Sequence, residues 1–171
     1  HGCIGGLSLV YLTLLSPGDE VIIPEPAYPA YNILAQASRC EVKYVSCLVP
    51  GTQSSWALDV DAIKAAITPK TKLIVFSNPS NPTGYLLPTS TLEAMIKLCD
   101  ERGIYLVVDE AYREYIFEGD YTSAITLLHT SPFVISANSF SKSMSLYGER
   151  AGALSVVCAS ASEAQRVLGQ L

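Results

Sequence analysis

Short apolar runs rich in valine and isoleucine alternate along the chain with longer amphipathic segments, and this alternation constrains the fold most. Strands that are apolar on both sides are typical of a sheet covered on both faces. The predicted strands are Val21–Ile23, Val42–Val45, Leu73–Phe76, Ile104–Val108, Phe133–Ala137 and Ala153–Val157. The predicted helices are Gly5–Leu15, Ala27–Ala37, Val60–Ile67, Ser90–Arg102 and Ser160–Leu171. The pattern predicts a three-layer α/β/α fold with a mainly parallel sheet.

Local signals mark some helix ends and indicate where a ligand would bind. Asp59 and either Thr89 or Ser90 are candidate N-caps, and Gly103 stands where a helix C-terminus is expected. Ligands of open parallel sheets bind beyond the carboxyl ends of the strands. The loops that follow the strands are therefore the places to search for a site.

Composition excludes several classes of protein. The 171 residues are 49% hydrophobic and 16% charged, which indicates one folded domain and excludes a disordered chain. The net charge of −5 argues against nucleic acid or an anionic membrane surface as a partner. The longest apolar stretch, Leu7–Leu15, is too short to span a bilayer. The chain starts at His1, without a signal peptide, so we expect it to be part of a longer protein.

The cysteines and histidines predict no metal site. No two cysteines have the spacing of a zinc site, and only His1 and His129 are available as imidazole ligands. The same scarcity of histidine argues against a Ser-His-Asp triad. We expect reduced, structural thiols in a cytoplasmic protein. The five cysteines are Cys3, Cys40, Cys47, Cys99 and Cys158.

Three predicted strands end in polar segments. The segments are Ser77–Gly84, with the sequence SNPSNPTG, Asp109–Tyr112, with DEAY, and Asn138–Lys142, with NSFSK; Glu149 and Arg150 follow the last. Taken singly, these segments are typical of a turn, a helix cap, a solvated lysine and a surface ion pair. Because the carboxyl ends of parallel strands lie on one edge of a sheet, we expect the segments to come together.

Four side chains from these segments suit an electron-accepting pyridine ring. Lys142 is a candidate amine for a Schiff base. Asp109 is a candidate to hold a proton on the ring nitrogen. Tyr112 and Asn81 can both donate hydrogen bonds to a phenolate oxygen on the ring.

Other residues suit a phosphate group and the face of a ring. Arg150 can bind a phosphate through its fork of donors, with the Ser139 hydroxyl beside it. The Gly2-Cys3-Ile4 turn leads into a helix whose free N–H groups favour an anion. Tyr28 is an aromatic side chain that can stack on a flat ring. Together these groups describe a site for pyridoxal 5′-phosphate.

The sequence resembles the large, cofactor-binding domain of the class I and II aminotransferases, the fold-type-I pyridoxal phosphate enzymes. The resemblance implies for each residue the role given above, with Lys142, Asp109 and Tyr112 as the catalytic residues and Lys142 as the proton carrier. It also implies amino acid and 2-oxo acid substrates and a cytoplasmic homodimer. The matching segments, in family order, are Ser16–Val21, Pro24–Pro29, Asn78–Gly84, Asp109–Tyr112 and Ser139–Lys142.

Two segments resemble particular branches of this family. Ser145–Gly152, with the sequence SLYGERAG, resembles the branch that acts on aspartate and aromatic amino acids. The DEAY sequence at Asp109–Tyr112 favours transaminases over the related carbon–sulfur lyases. The resemblance therefore implies transfer of an amino group from an L-amino acid of the aspartate or aromatic type.

The chain also departs from the family pattern. Ile4 stands where the phosphate turn often has a hydroxyl side chain, so only backbone N–H groups are expected to bind there. Family members are longer, and we expect residues 1–171 to lack their N-terminal segment and C-terminal small domain, which carries the arginine for the substrate carboxylate. Two alternatives stay open: a carbon–sulfur or related lyase on the same scaffold, and an aminotransferase-like effector-binding domain of a transcription regulator.

Overall fold

Six strands form one sheet in the computed structural model of the chain, which describes residues 1–49 and 55–168. The strands are β1 Glu20–Glu25, β2 Glu41–Ser46, β3 Thr71–Ser77, β4 Tyr105–Asp109, β5 Val134–Ser139 and β6 Gly152–Ser155. The helices are α1 Gly2–Leu14, α2 Ala30–Ala37, α3 Val60–Ala66, α4 Thr89–Arg102, α5 Phe140–Ser143 and α6 Ala161–Leu168. A 3₁₀ helix spans Ala124–Thr130.

The sheet is mainly parallel, as predicted. Its strand order is β2-β1-β3-β4-β5-β6; the first five strands run parallel and β6 pairs antiparallel with β5. The register aligns Ser77 of β3 with Asp109 of β4, and Asp109 with Ala137 of β5. The carboxyl ends of these three strands therefore meet at one edge of the sheet, and the segments that follow them start side by side.

A hydrophobic core lies on each face of the sheet because alternate strand residues point to opposite faces. On one face, Ile74 and Leu106 pack in a cluster with buried residues of α3 and α4. On the other face, Leu73 and Val107 pack in a cluster with buried residues of α1 and α2. This arrangement confirms the predicted three layers.

The predicted boundaries agree closely for the strands and less closely for the helices. Each strand end lies within two residues of its predicted position. Gly103 ends α4 with a left-handed φ of 63°, and the Asp59 side chain accepts hydrogen bonds from backbone N–H groups in the first turn of α3. Of the predicted helix Ser160–Leu171, α6 covers Ala161–Leu168, and residues 169–171 lie outside the described part of the chain.

Three helix starts were predicted wrongly. Helix α1 starts at Gly2 rather than Gly5, because the Gly2 N–H donates to the carbonyl oxygen of Arg150 at 2.6 Å and anchors an additional turn. Helix α2 starts at Ala30 rather than Ala27, with Pro29 at its N-cap. Pro88 is the N-cap of α4, so neither Thr89 nor Ser90 caps it. None of the described helices is both long and apolar enough to cross a membrane.

Candidate functional site

A cavity of about 220 Å³ opens at the carboxyl edge of β3, β4 and β5. All of the predicted site residues except Gly2 line it. Gly2 lies behind Arg150, where a Cβ atom would come within 3.1 Å of the guanidinium. The lining residues are Cys3, Ile4, Tyr28, Tyr31, Ser77, Asn81, Asp109, Ala111, Tyr112, Ser139, Ser141, Lys142, Tyr147 and Arg150. The fold therefore brings the predicted site together.

Asp109, the last residue of β4, forms the floor of the cavity and is only 5% exposed. Its Oδ2 accepts a hydrogen bond from the hydroxyl of Tyr31 at 3.0 Å. Its Oδ1 accepts from the backbone N–H of Ala111 at 3.0 Å and from the thiol of Cys3 at 3.4 Å. Burial raises the pKa of Asp109 above its ordinary value, and these three donors act in the opposite direction.

The charge of Asp109 tests whether the site fits the cofactor. Within residues 1–49 and 55–168, no lysine, arginine or histidine forms an ion pair with Asp109. A buried carboxylate is costly without a cationic partner. A carboxylate on a cavity floor therefore fits a ligand that carries a proton on a ring nitrogen, as pyridoxal phosphate does.

Lys142 lies in α5, directly after β5, against two aromatic side chains. Its Nζ atom is 5.7 Å from the ring centroid of Tyr112 and 5.4 Å from that of Tyr147. Contacts of this kind stabilise an ammonium group by about 0.5–1 kcal/mol at exposed sites. The carbonyl oxygen of Lys142 accepts a hydrogen bond from the hydroxyl of Tyr115 at 2.7 Å. The backbone is thus fixed while the amine faces the cavity.

Another part of the cavity lining suits an anion. Arg150 Nη1 donates to the carbonyl oxygen of Tyr147 at 3.0 Å and approaches Ser141 Oγ at 3.4 Å. Ser139 caps α5, accepting a hydrogen bond from the N–H of Ser141 at 3.1 Å. In α1, the first-turn N–H groups of Cys3 and Ile4 lack partners within the helix. A guanidinium, hydroxyls and helix N–H groups are the donors that bind phosphate in proteins.

The remaining predicted residues form the walls. Asn81 is placed by its own backbone N–H, which donates to Ser77 Oγ at 2.8 Å. Tyr28 is half-buried and contacts Tyr31 edge to face, with ring centroids 5.7 Å apart. Both side chains line the cavity, as predicted.

Four polar lining residues were not among those predicted from the sequence: Tyr31, Ser77, Ser141 and Tyr147. Ser77, Ser141 and Tyr147 lie within or beside the segments that were singled out, so position alone points to them. Tyr31 has no such signal, because its partner Asp109 lies 78 residues further along the chain.

Comparisons with known proteins show what the chain is similar to. The family model "Aminotransferase class I and II" matches residues 1–171. The chain is 34% identical over 146 residues to arginine–pyruvate transaminase AruH of Pseudomonas aeruginosa, covering 85% of this chain and 36% of that protein. It is 38% identical over 145 residues to the aromatic amino acid aminotransferase of Corynebacterium diphtheriae, covering 84% and 40%.

A solved structure shares the fold. A double mutant of the aspartate aminotransferase of Thermus thermophilus superposes with a TM-score of 0.84 and 31% sequence identity. The superposition covers 91% of this chain and 39% of that one. The chain thus spans about two-fifths of the length of the relatives that it matches.

Proposed function

The chain belongs to the class I and II aminotransferases, a family that depends on pyridoxal phosphate, and from this premise we propose a function for it. Residues 1–171 are the cofactor-binding large domain of a longer enzyme. That enzyme transfers the amino group of an L-amino acid to a 2-oxo acid. The observation that carries the proposal is the buried carboxylate of Asp109, which forms no ion pair with a cationic side chain in the described part of the chain. It lies on the floor of a cavity that Lys142 and Arg150 also line.

The residues of the cavity have two kinds of role: some take part in the reaction, and the others bind and orient the cofactor. When bound, the cofactor supplies a ring that accepts the electron pair left on the substrate α-carbon. Lys142 Nζ is the amine that would hold the cofactor covalently and that an amino acid substrate would release. The free Nζ would remove the proton from the substrate α-carbon and deliver a proton to the cofactor carbon that receives the amino group. Asp109 would hold a proton on the ring nitrogen.

The remaining residues orient the ring and its phosphate. Asn81 and Tyr112 would donate hydrogen bonds to the ring oxygen, and Tyr28 would stack on the ring. The phosphate would bind at the part of the cavity lining that supplies the donors described above. Its ligands would be Ser139, Arg150 and the first-turn N–H groups of Cys3 and Ile4. Gly2, which was predicted as a further ligand, would position this turn instead, because its N–H donates to the carbonyl oxygen of Arg150.

The substrates, assembly and location of the enzyme extend the same proposal. The sequence of Ser145–Gly152 and the similarity to aspartate and aromatic amino acid aminotransferases support a substrate of the aspartate or aromatic type. The resemblance to the family supports a homodimer. The scattered cysteines support a cytoplasmic location.

Borohydride labelling tests the proposal directly. The full-length protein is incubated with pyridoxal phosphate, its absorbance spectrum is recorded, and borohydride then fixes any lysine–cofactor bond for peptide mapping. We expect the label on Lys142. Lys142→Ala should lose the label and transamination, while Lys97→Ala, a control at an exposed position of helix α4, should keep both. Label on another lysine, or retention of the label in Lys142→Ala, would contradict the assignment.

Product analysis tests the type of reaction. With aspartate or tyrosine and a 2-oxo acid, we expect one new amino acid and one new 2-oxo acid for each turnover. Release of ammonia or sulfide from cysteine-type substrates would identify a lyase instead.

A further inference from the structure

Glu110 is a second buried carboxylate, directly after Asp109, and the proposed function leaves it unused. Its side chain is fully buried. Its Oε1 accepts hydrogen bonds from the hydroxyl of Tyr121 and from the backbone N–H of Ala124, the latter at 2.9 Å. Its Oε2 accepts from the hydroxyls of Ser123, at 3.0 Å, and Ser136. Four donors converge on two oxygens, which is the arrangement that satisfies an ionised carboxylate.

The charge of Glu110 has no direct counter-ion in the described part of the chain. All four of its donors are neutral. The nearby guanidinium of Arg113 donates to Glu114 instead, at 2.7 Å. Because a buried charge with neutral donors only is expensive to keep, a purely structural role is better served by a neutral side chain.

The bonds of Glu110 also fix the backbone around the site. Its donors come from the segment before the 3₁₀ helix, from the first residue of that helix and from β5. The Tyr121 hydroxyl lies 3.4 Å from the carbonyl oxygen of Asn78, in the loop that carries Asn81. The N–H of Asn78 donates to the carbonyl oxygen of Asp109 at 2.9 Å. Glu110 therefore ties together the segments on either side of Asp109.

Glu110 is also adjacent to Asp109 in the chain, and both carboxylates are buried. Burial is the main cause of the raised pKa of Asp109, and the negative charge of Glu110 raises it further. The other titratable groups that face Asp109 are Cys3 on α1 and Tyr31 on α2, both of which donate to it. Lys142 and Arg150 are the cations of the cavity walls. Two neighbouring negative charges attract a protonated ring nitrogen more strongly than one does.

We propose that Glu110 is a positioning residue for the cofactor, whose buried charge strengthens the hold of Asp109 on the proton of the ring nitrogen. The inference rests on the proposed function, because it requires a cofactor ring above Asp109. Removing the charge of Glu110 while keeping its hydrogen bonds should therefore weaken the binding of the proton to the ring nitrogen without destabilising the fold.

Two variants of Glu110 separate charge from structure. Glu110→Gln keeps the length of the side chain: its oxygen can accept from Ala124 and Tyr121, and its amide can donate to the two serine hydroxyls. Glu110→Asp keeps the charge, but the shorter side chain cannot reach all four donors. If the role of Glu110 is structural, Glu110→Asp should lower the Tm more than Glu110→Gln does. If Glu110 has the proposed role, Glu110→Gln should change the deprotonation midpoint of the ring nitrogen more than Glu110→Asp does.

The measurement is the nitrogen-15 chemical shift of ring-labelled pyridoxal phosphate bound to the full-length protein, followed against pH without substrate. In Glu110→Gln we expect the deprotonation midpoint to fall by about one pH unit, a tenfold weaker hold on the proton. Its Tm should stay within a few degrees of the unsubstituted protein. In Glu110→Asp we expect a lower Tm and an unchanged midpoint. Glu93→Gln, an exposed control, should change neither.

The outcomes distinguish this inference from the proposed function. If the unsubstituted protein binds no pyridoxal phosphate, the proposed function fails and the inference fails with it. If the cofactor binds and the midpoint is the same in Glu110→Gln, Glu110 is only structural and the inference alone is overturned. If Glu110→Gln does not fold, the fold itself requires the charge of Glu110, and this also overturns the inference. A midpoint that falls together with Tm in Glu110→Asp would overturn it as well.

Discussion

The two sides of the cavity are built differently. We call Asp109, which lines the cavity, and the adjacent Glu110, which does not, the acidic floor: both are buried, and all four carboxylate oxygens accept hydrogen bonds from within the fold. We call residues 140–152 the basic rim, which includes Lys142 and Arg150. Most of the rim is exposed, and Arg150 has a left-handed φ of 52°. The fold thus satisfies the polar atoms of the floor, whereas the shape of the rim depends on close backbone packing.

Asp109→Asn should have the largest effect. Removing one partner from a buried ion pair costs about 3–5 kcal/mol, which predicts a fall in kcat/KM of about 10²–10⁴-fold in the full-length enzyme. The loss arises because an amide cannot hold the proton of the ring nitrogen. Steady-state transamination assays measure it, and Asp61→Asn, on the exposed first turn of α3, is the matched control.

The same variant should change the pH dependence of the ligand-free protein. The folded-state pKa of Asp109 lies above its ordinary value of 3.8, so the folded protein binds the proton more tightly than the unfolded chain does. The contribution of Asp109 to stability therefore falls as the pH rises from about 3.8 through the folded pKa. Asp109→Asn should lose this dependence of stability on pH. At pH values above the folded pKa of Asp109, the variant should be at least as stable as the unsubstituted protein. If the variant is fully active, or is less stable than the unsubstituted protein at high pH, Asp109 does not have the proposed role of holding the proton on the ring nitrogen.

Gly152→Ala tests the rim and should have the next largest effect. A Cβ atom at position 152 would lie 2.7 Å from the carbonyl oxygen of Asn138 and 2.8 Å from the backbone nitrogen of Cys3. The first turn of α1 must then move, at a cost of about 1–3 kcal/mol. We expect a lower Tm together with weaker binding of pyridoxal phosphate.

Gly148→Ala is the matched control for Gly152→Ala. Position 148 is in the same segment, but a Cβ atom there meets nothing within 4 Å. Its Tm and cofactor affinity should therefore stay close to those of the unsubstituted protein. Equal losses in the two variants would mean that the rim is sensitive to any added side chain, and not to the contact between β6 and α1.

The two regions also differ in how far the sequence predicts them. The rim residues Lys142 and Arg150 follow one strand, β5, within a short stretch of chain, so their common location followed from the strand pattern alone. For the floor, Asp109 itself was predicted in the same way. Its partner Tyr31 was not, because the two meet only through the packing of α2 against the sheet.

The errors in the helices have a similar origin. The early start of α1 depends on a hydrogen bond between Gly2 and Arg150, which are distant in sequence. The 3₁₀ helix Ala124–Thr130 has too few residues for an apolar period to appear, and the N–H of Ala124 is held by Glu110. The four inner strands were located well because a strand buried on both faces is marked by its own residues. Contacts between distant segments leave no such local mark.

Tyr31→Phe should have the smallest effect, and it tests how the hydrogen bond from Tyr31 stabilises the carboxylate of Asp109. It removes the donor to Asp109 Oδ2 and leaves those from Ala111 and Cys3, so we expect a loss of about 1 kcal/mol in the free energy of unfolding. The hydrogen bond from Tyr31 favours the charged carboxylate, so its loss should raise the pKa of Asp109 further. The loss of stability should therefore be greater at about pH 8 than at about pH 4. Chemical denaturation of the ligand-free protein at the two pH values measures this difference.

In the Asp109→Asn background the difference should vanish, because no carboxylate remains for the hydroxyl to stabilise. If it persists there, Tyr31 acts through its packing in the core and not through Asp109.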